Sequence, residues 1–134
     1  MHFNLVDKII EQSDCRIVTL KQVSLSEEYL QDHFPGFPVL PGVMMLEALV
    51  ASARQLLHNP RLVLGKIRAL RYGGMVRPGD SLLVTVTLHK DHGDGTYTCK
   101  GTGKVVHPEK TGTEEETAIT GKILLRPVQN MSGN

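Results

Sequence analysis

The chain has 134 residues, 40% of them hydrophobic and 22% charged, with a formal net charge of +1. That length and balance suit one soluble globular domain with one core. The near-neutral charge and the lack of tryptophan leave neither a global field nor a stacking platform for nucleic acid, and no apolar run reaches membrane-spanning length.

Residues 1–20 lack the basic, apolar, small-residue order of a secretory leader, so a cytoplasmic chain is expected. Cys15 and Cys99 lie far apart and read as reduced packing residues rather than a disulfide. In chain order, residues 1–12 are short and mixed, and Phe3, Leu5 and Val6 suggest an amphipathic turn leading to Asp7. Residues 15–24 are rich in β-branched side chains and alternate in places, which predicts a strand. Ser26, followed by Glu27 and Glu28, is a cap for a short helix. The segment HFPGFPVLPG, residues 33–42, holds three prolines and two glycines, which forbid regular structure and predict a shaped loop.

A helix is predicted over 42–58, punctuated by Pro41 and Gly42 and stopped by Asn59-Pro60. Between Val43 and Ala53 its apolar residues cover every face, so burial on all sides is expected. Strands follow over 62–70, 81–90, 96–106 and 118–126. Tyr72-Gly73-Gly74 interrupts after the first, and Arg77-Pro78-Gly79-Asp80 turns into the second. Leu82, Val84, Val86 and Leu88 share one face of the second, and Tyr97 and Cys99 share one face of the third. Residues 91–95 form a hairpin loop, residues 107–116 a polar loop, and residues 127–134 a loose tail. The class is therefore α+β, with a single domain over 1–126. A curved antiparallel sheet would wrap most of the helix, and a second subunit would cover the rest.

Glu47 is the only charge between Val43 and Ala53. Burying a lone carboxylate disfavours its charged form, and a carboxylic acid kept protonated can donate a proton. The competing reading is a structural ion pair with Arg54 or Arg68. His33, at the head of the rigid loop, is a general base suited to neutral pH. Alone it would read as an ordinary loop histidine, but beside Glu47 it completes an acid/base pair. The free N–H groups of Gly42 and Val43 at the helix start could polarise a carbonyl oxygen. Base, acid and oxyanion site are what β-elimination next to a carbonyl requires.

HFPGFPVLPGVMMLEA, residues 33–48, resembles the signature of the FabZ-type 3-hydroxyacyl-[acyl-carrier-protein] dehydratases, H-F-P-G-x-P-V-x-P-G-V-x-x-x-E-A, at every fixed position. Asn4-Leu5-Val6-Asp7 resembles the family's L-V-D element, and Arg77-Pro78-Gly79-Asp80-Ser81-Leu82 its P-G-D-x-L turn. The resemblance implies a hot-dog fold and removal of water from a (3R)-3-hydroxyacyl thioester to give a trans-2-enoyl thioester. It implies a homodimer, or three such dimers in a hexamer, with His33 of one subunit facing Glu47 of the other. By the same resemblance Phe34, Gly36, Pro41, Gly42 and Val43 bind substrate, the Gly42 N–H taking the thioester carbonyl. The acyl chain would ride on the phosphopantetheine of acyl carrier protein, with no metal or redox cofactor. Two departures stand out. The family's E-A-M-A-Q is Glu47-Ala48-Leu49-Val50-Ala51 here, so a glutamine has become Ala51. The aromatic, basic and proline segment before the P-G-D turn is Tyr72-Gly73-Gly74-Met75.

Other features read as structure. His89 and His92 flank a hairpin with no cysteine nearby and read as solvated turn residues rather than metal ligands. Gly93-Asp94-Gly95 lacks the strand-to-helix context of a phosphate loop. Lys100, Lys104 and Lys110 are a solvated face or a greeting surface for an acidic carrier. Met44 and Met45 line helix packing. Two other functions fit the same fold. One is a thioesterase in which Glu47 activates water, which leaves the His33 loop without a clear purpose. The other is a non-catalytic acyl-binding subunit, which the retention of both His33 and Glu47 argues against and the loss of glutamine at Ala51 mildly favours.

Overall fold

Strands make up the larger part of the residues whose structure is described. The computed structural model describes residues 5–24, 40–108 and 116–128. Within them lie β1 (Lys8–Gln12), β2 (Arg16–Gln22), α1 (Gly42–Leu56), β3 (Leu62–Tyr72), β4 (Ser81–Asp91), β5 (Tyr97–Val106) and β6 (Glu116–Pro127). The six strands form one antiparallel sheet in the order β1-β2-β4-β5-β6-β3. The helix lies across one face of it. Alternation decides which side chains meet α1: Leu82, Val84 and Val86 from β4, and Ile119, Ile123 and Leu125 from β6, are fully buried there.

Beneath the helix, β5 contributes Cys99, Gly101, Gly103 and Val105 to the inner face. A Cβ on Gly101 would stand 2.9 Å from a methyl of Leu49. The missing side chain is what lets α1 sit this close to the central strand. The helix is tied to β2 by a buried polar link, Thr19 Oγ1 to Ser52 Oγ at 2.7 Å, and Ser52 also donates to the Ala48 carbonyl. Each buried hydroxyl thereby has a partner.

Several expectations change. Residues 8–12, which carry no element in the sequence reading, form a strand laddered on β2 with an irregularity between Ile9 and Glu11. The helix stops at Leu56. Asn59 N–H bonds to the Arg54 carbonyl and His58 N–H to that of Gln55, with His58 at φ 53, a Schellman termination. Strand β3 continues through Tyr72 because Arg71 and Tyr72 still pair with Thr120 and Ile119. Strand β6 reaches Pro127, one residue into the expected tail. Within one chain α1 is covered on every side but one, the side whose cover was expected from a second subunit: Val43 is 61% exposed, Glu47 and Ala51 are half-buried, and Gln55 is exposed. These positions, four residues apart, make one continuous stripe that the sheet does not cover. The short helix expected at Ser26 lies outside the described residues. Cys15 is an exposed free thiol and Cys99 a buried one.

Candidate active site

Two sequence elements that flank the central motif prove structural. The Asp7 carboxylate accepts the Gln22 N–H at 2.7 Å and lies 3.8 Å from the ammonium of the buried Lys21. It thereby fastens the chain before β1 to the end of β2. Asp80 closes its own turn by accepting the Arg77 N–H, while Gly79 at φ 95 supplies the left-handed residue the turn needs. Its other carboxylate oxygen meets His107 Nδ1 at 2.8 Å. Backbone bonds from Val23 N–H to the Asp80 carbonyl and from Gly79 N–H to the Val23 carbonyl then lock this turn to the end of β2.

The helix start is built on that frame. Pro41 is its N-cap, and the Met44 and Met45 N–H groups bond back to the Pro41 carbonyl. No side chain caps the helix, and its first turn holds no acid. Among the described residues, the Gly42 and Val43 N–H groups have no acceptor. The positive end of the helix dipole is therefore free to meet an oxygen that gains negative charge.

Gly42 is confined on one side by an aromatic ring. A Cβ there would fall 2.9 Å from Tyr72 Cε1 and 3.0 Å from Cζ, so only glycine fits without moving the ring. The segment carrying that ring is fixed from both sides. Gly73 and Gly74 N–H bond to the Ala118 and Thr117 carbonyls, and Leu40 N–H bonds to the Val76 carbonyl at 2.7 Å. Gly73 leaves no room for a side chain, since a Cβ would collide with the Thr117 carbonyl oxygen.

Glu47 follows Val43 by one turn on the uncovered stripe. It is half-buried, and among the described residues it has no ion-pair partner. The competing structural reading fails on both arginines. Arg54 Nε donates to the Leu62 carbonyl at 2.7 Å, and Arg68 belongs to a groove bounded by β3, β4, β5 and β6 residues. Ala51 lies one turn beyond Glu47 on the same stripe. His33, Phe34 and Gly36 lie outside the described residues. Of the sequence-derived candidates the structure thus brings together Pro41, Gly42, Val43 and Glu47.

Sequence reasoning missed Tyr72 and Val76 as walls of the helix start. The signal was available, because the segment 72–75 stood out as the second departure from the family pattern. Its place beside Gly42 depends on the β3–β6 ladder, which periodicity does not reveal. Among the described residues no three histidine, cysteine or acidic side chains come together as a metal site, and no helix is long and apolar enough to cross a membrane.

Residues 9–110 match the ApeI-like dehydratase family. The chain is 43% identical over 93 residues to a 3-hydroxyacyl-[acyl-carrier-protein] dehydratase FabZ of Oenococcus oeni, covering 64% of this chain and 67% of that one. It is 38% identical to the FabZ of Verminephrobacter eiseniae over 93% of this chain and 88% of that one. Among solved structures, the dehydratase heterocomplex ApeI:P from Xenorhabdus doucetiae contains a chain of similar fold. Its TM-score is 0.65 at 21% identity, covering 90% of this chain and 96% of that one.

Proposed function

Because the chain belongs to the hot-dog dehydratases, the family that the ApeI-like and FabZ-type proteins represent, we propose that it removes water from 3-hydroxyacyl thioesters at the start of α1. The observation that carries this reading is the uncapped, acid-free helix start at Gly42, with Glu47 one turn along the same open stripe. The Gly42 N–H polarises the thioester carbonyl, which acidifies the α-proton. His33 takes that proton, and Glu47 gives one to the β-hydroxyl, which leaves as water. The product is the trans-2-enoyl thioester. Pro41 and Val43, with Phe34 and Gly36, line the acyl thioester, and Tyr72 walls it on the β3 side.

The exposed stripe on α1 supports a site completed by a second copy. Among the described residues β3 forms an outer edge of the sheet, eleven residues long, and Ile67, Tyr72 and Met75 are exposed on it or just beyond it. A long free edge with apolar side chains is a template for pairing. We infer a homodimer through β3, in which His33 of one subunit meets Glu47 of the other, acting in the cytoplasm. Its acyl carrier would be acyl carrier protein, which the names of the FabZ relatives give for those proteins.

The test is hydration and dehydration of a short trans-2-enoyl thioester, followed by loss and gain of the conjugated enoyl absorbance on acyl carrier protein and on coenzyme A. Turnover that falls by orders of magnitude in Glu47→Gln, with no free thiol released, supports dehydration. Thiol release from a saturated acyl thioester would instead indicate a thioesterase.

A further inference from the structure

The sheet face turned away from α1 carries a concentration of positive charge that the reaction above does not use. A groove of about 340 Å³ is lined by Lys66, Arg68, His89, Lys90, His92 and Lys122, with Thr98, Ile123 and Leu124 completing it. Strand register explains the clustering. Arg68 on β3 pairs with Lys122 on β6, and Lys122 pairs with Lys100 on β5, so three cations stand in a row across three strands. In the next row Lys66 pairs with Leu124, Leu124 with Thr98, and Thr98 with Lys90.

Like charges directly opposite one another on a sheet destabilise it. Here they are kept without relief: no carboxylate lines the groove, and among the described residues Lys66, Arg68, Lys90, Lys100 and Lys122 have no ion-pair partner. The nearby acids serve the hairpin instead. Asp91 accepts the Gly93 N–H, and Asp94 accepts both the N–H and the hydroxyl of Thr96. The whole chain carries only +1, so this is a local concentration rather than the surface of a basic protein. The field acts on the groove's own groups. Lys122 above all, then loss of solvent, Lys100 and Lys90, hold the His89 ring below its ordinary range.

We propose that this groove is a binding site for a small ligand carrying two or more phosphate groups. Strands stand about 4.8 Å apart, so the lining Lys66 and Lys90, at the two ends of their row, are three strand spacings or roughly 14 Å apart, with Arg68 and Lys122 beside them, more than a single phosphate can bridge. The volume falls at the small end of small-molecule sites, which favours a compact polyanion over a broad protein face. Arg68 supplies a bidentate fork and the lysines supply point charges. Thr98 and His92, joined at 2.8 Å, add polar groups to the wall.

The experiment is titration of the full chain with inorganic pyrophosphate, read by calorimetry and by backbone amide shifts, with ionic strength fixed by sodium chloride. Saturable binding is expected, with shifts at residues 66–68, 89–92, 98–100 and 122–124. The double variant Arg68→Gln/Lys122→Gln should bind at least tenfold more weakly and melt no lower than the parent. Parallel arms with ATP and coenzyme A separate the sources of the phosphate. Equal affinity across all three assigns recognition to the phosphates, and a preference for one nucleotide adds the adenosine. Binding that the double variant leaves unchanged would overturn the proposal. So would loss of binding in matched chloride, which would mark simple surface screening, or capture of an acidic protein by this face while pyrophosphate fails to bind. None of these readouts depends on dehydratase activity.

Discussion

At Gly42 a single hydrogen stands where any other residue would press a Cβ into the Tyr72 ring. Gly42→Ala is expected to turn the half-exposed Tyr72 ring aside and lower stability by about 0.5–1.5 kcal/mol, the cost of an off-rotamer side chain. Combining it with Tyr72→Ala should return part of that loss, which urea unfolding of the four-member cycle would measure. The glycine itself was legible in the motif, but its reason was not, because the ring arrives from the end of a strand far along the chain. His58 offers the opposite case. It occupies the left-handed position that ends α1, where glycine carries no steric penalty. His58→Gly should stabilise the protein by about 0.5–1 kcal/mol, seen as a rise in Tm. The two thiols differ by burial. Desolvation pushes Cys99 up from 9.0 to about 11, so it stays neutral where an exposed thiol ionises. A thiol-reactive disulfide reagent at pH 8 should therefore label Cys15 quickly and Cys99 only on unfolding. Because the folded form holds the Cys99 proton more tightly, this thiol's contribution to stability is full below about pH 9. It is lost as pH rises through about 11.

Element by element, the strands with strict alternation were the legible ones. Strand β4 buries Leu82, Val84 and Val86 as its pattern demands. Strand β1 was not legible, because its five residues are all exposed and Ile9 and Ile10 stand side by side rather than alternating. It exists by pairing with β2, not by burying a face. The helix was legible in its extent but not in its cover. Its composition is apolar all round, yet composition cannot say which chain does the covering, and here the sheet covers only part of it. On the sheet side the fit is tight. Gly101→Ala would drive a methyl into Leu49 and should destabilise by about 1–3 kcal/mol through overpacking, which thermal unfolding would report.

For the molecule as a whole, the family motif made the fold and the reaction class legible, because it matches at every fixed position over residues 33–48. Half of the proposed acid/base pair, Glu47, lies half-buried on the open stripe of α1. His33 lies outside the described residues. What the sequence could not convey is the outer basic groove, since its lysines and arginine come from three strands, β3, β4 and β6, whose neighbours are set only by the sheet order. If the β3 edge and the α1 stripe are covered by a second copy, light scattering should return a dimer or a larger assembly. Ile67→Glu on that edge should shift it toward monomer and lower turnover together. An active monomer would contradict a shared site.

The sheet order also bears on how the chain is made. Strand β3 leaves the ribosome directly after α1, yet its one neighbour among the described strands is β6, the last to emerge. Until residues 116–127 are synthesised, a strand eleven residues long has no intramolecular ladder on either side. The nascent chain is thus exposed to mispairing from the completion of β3 until β6 is made. A chain stalled before β6 would expose just the edge through which two finished copies are proposed to meet.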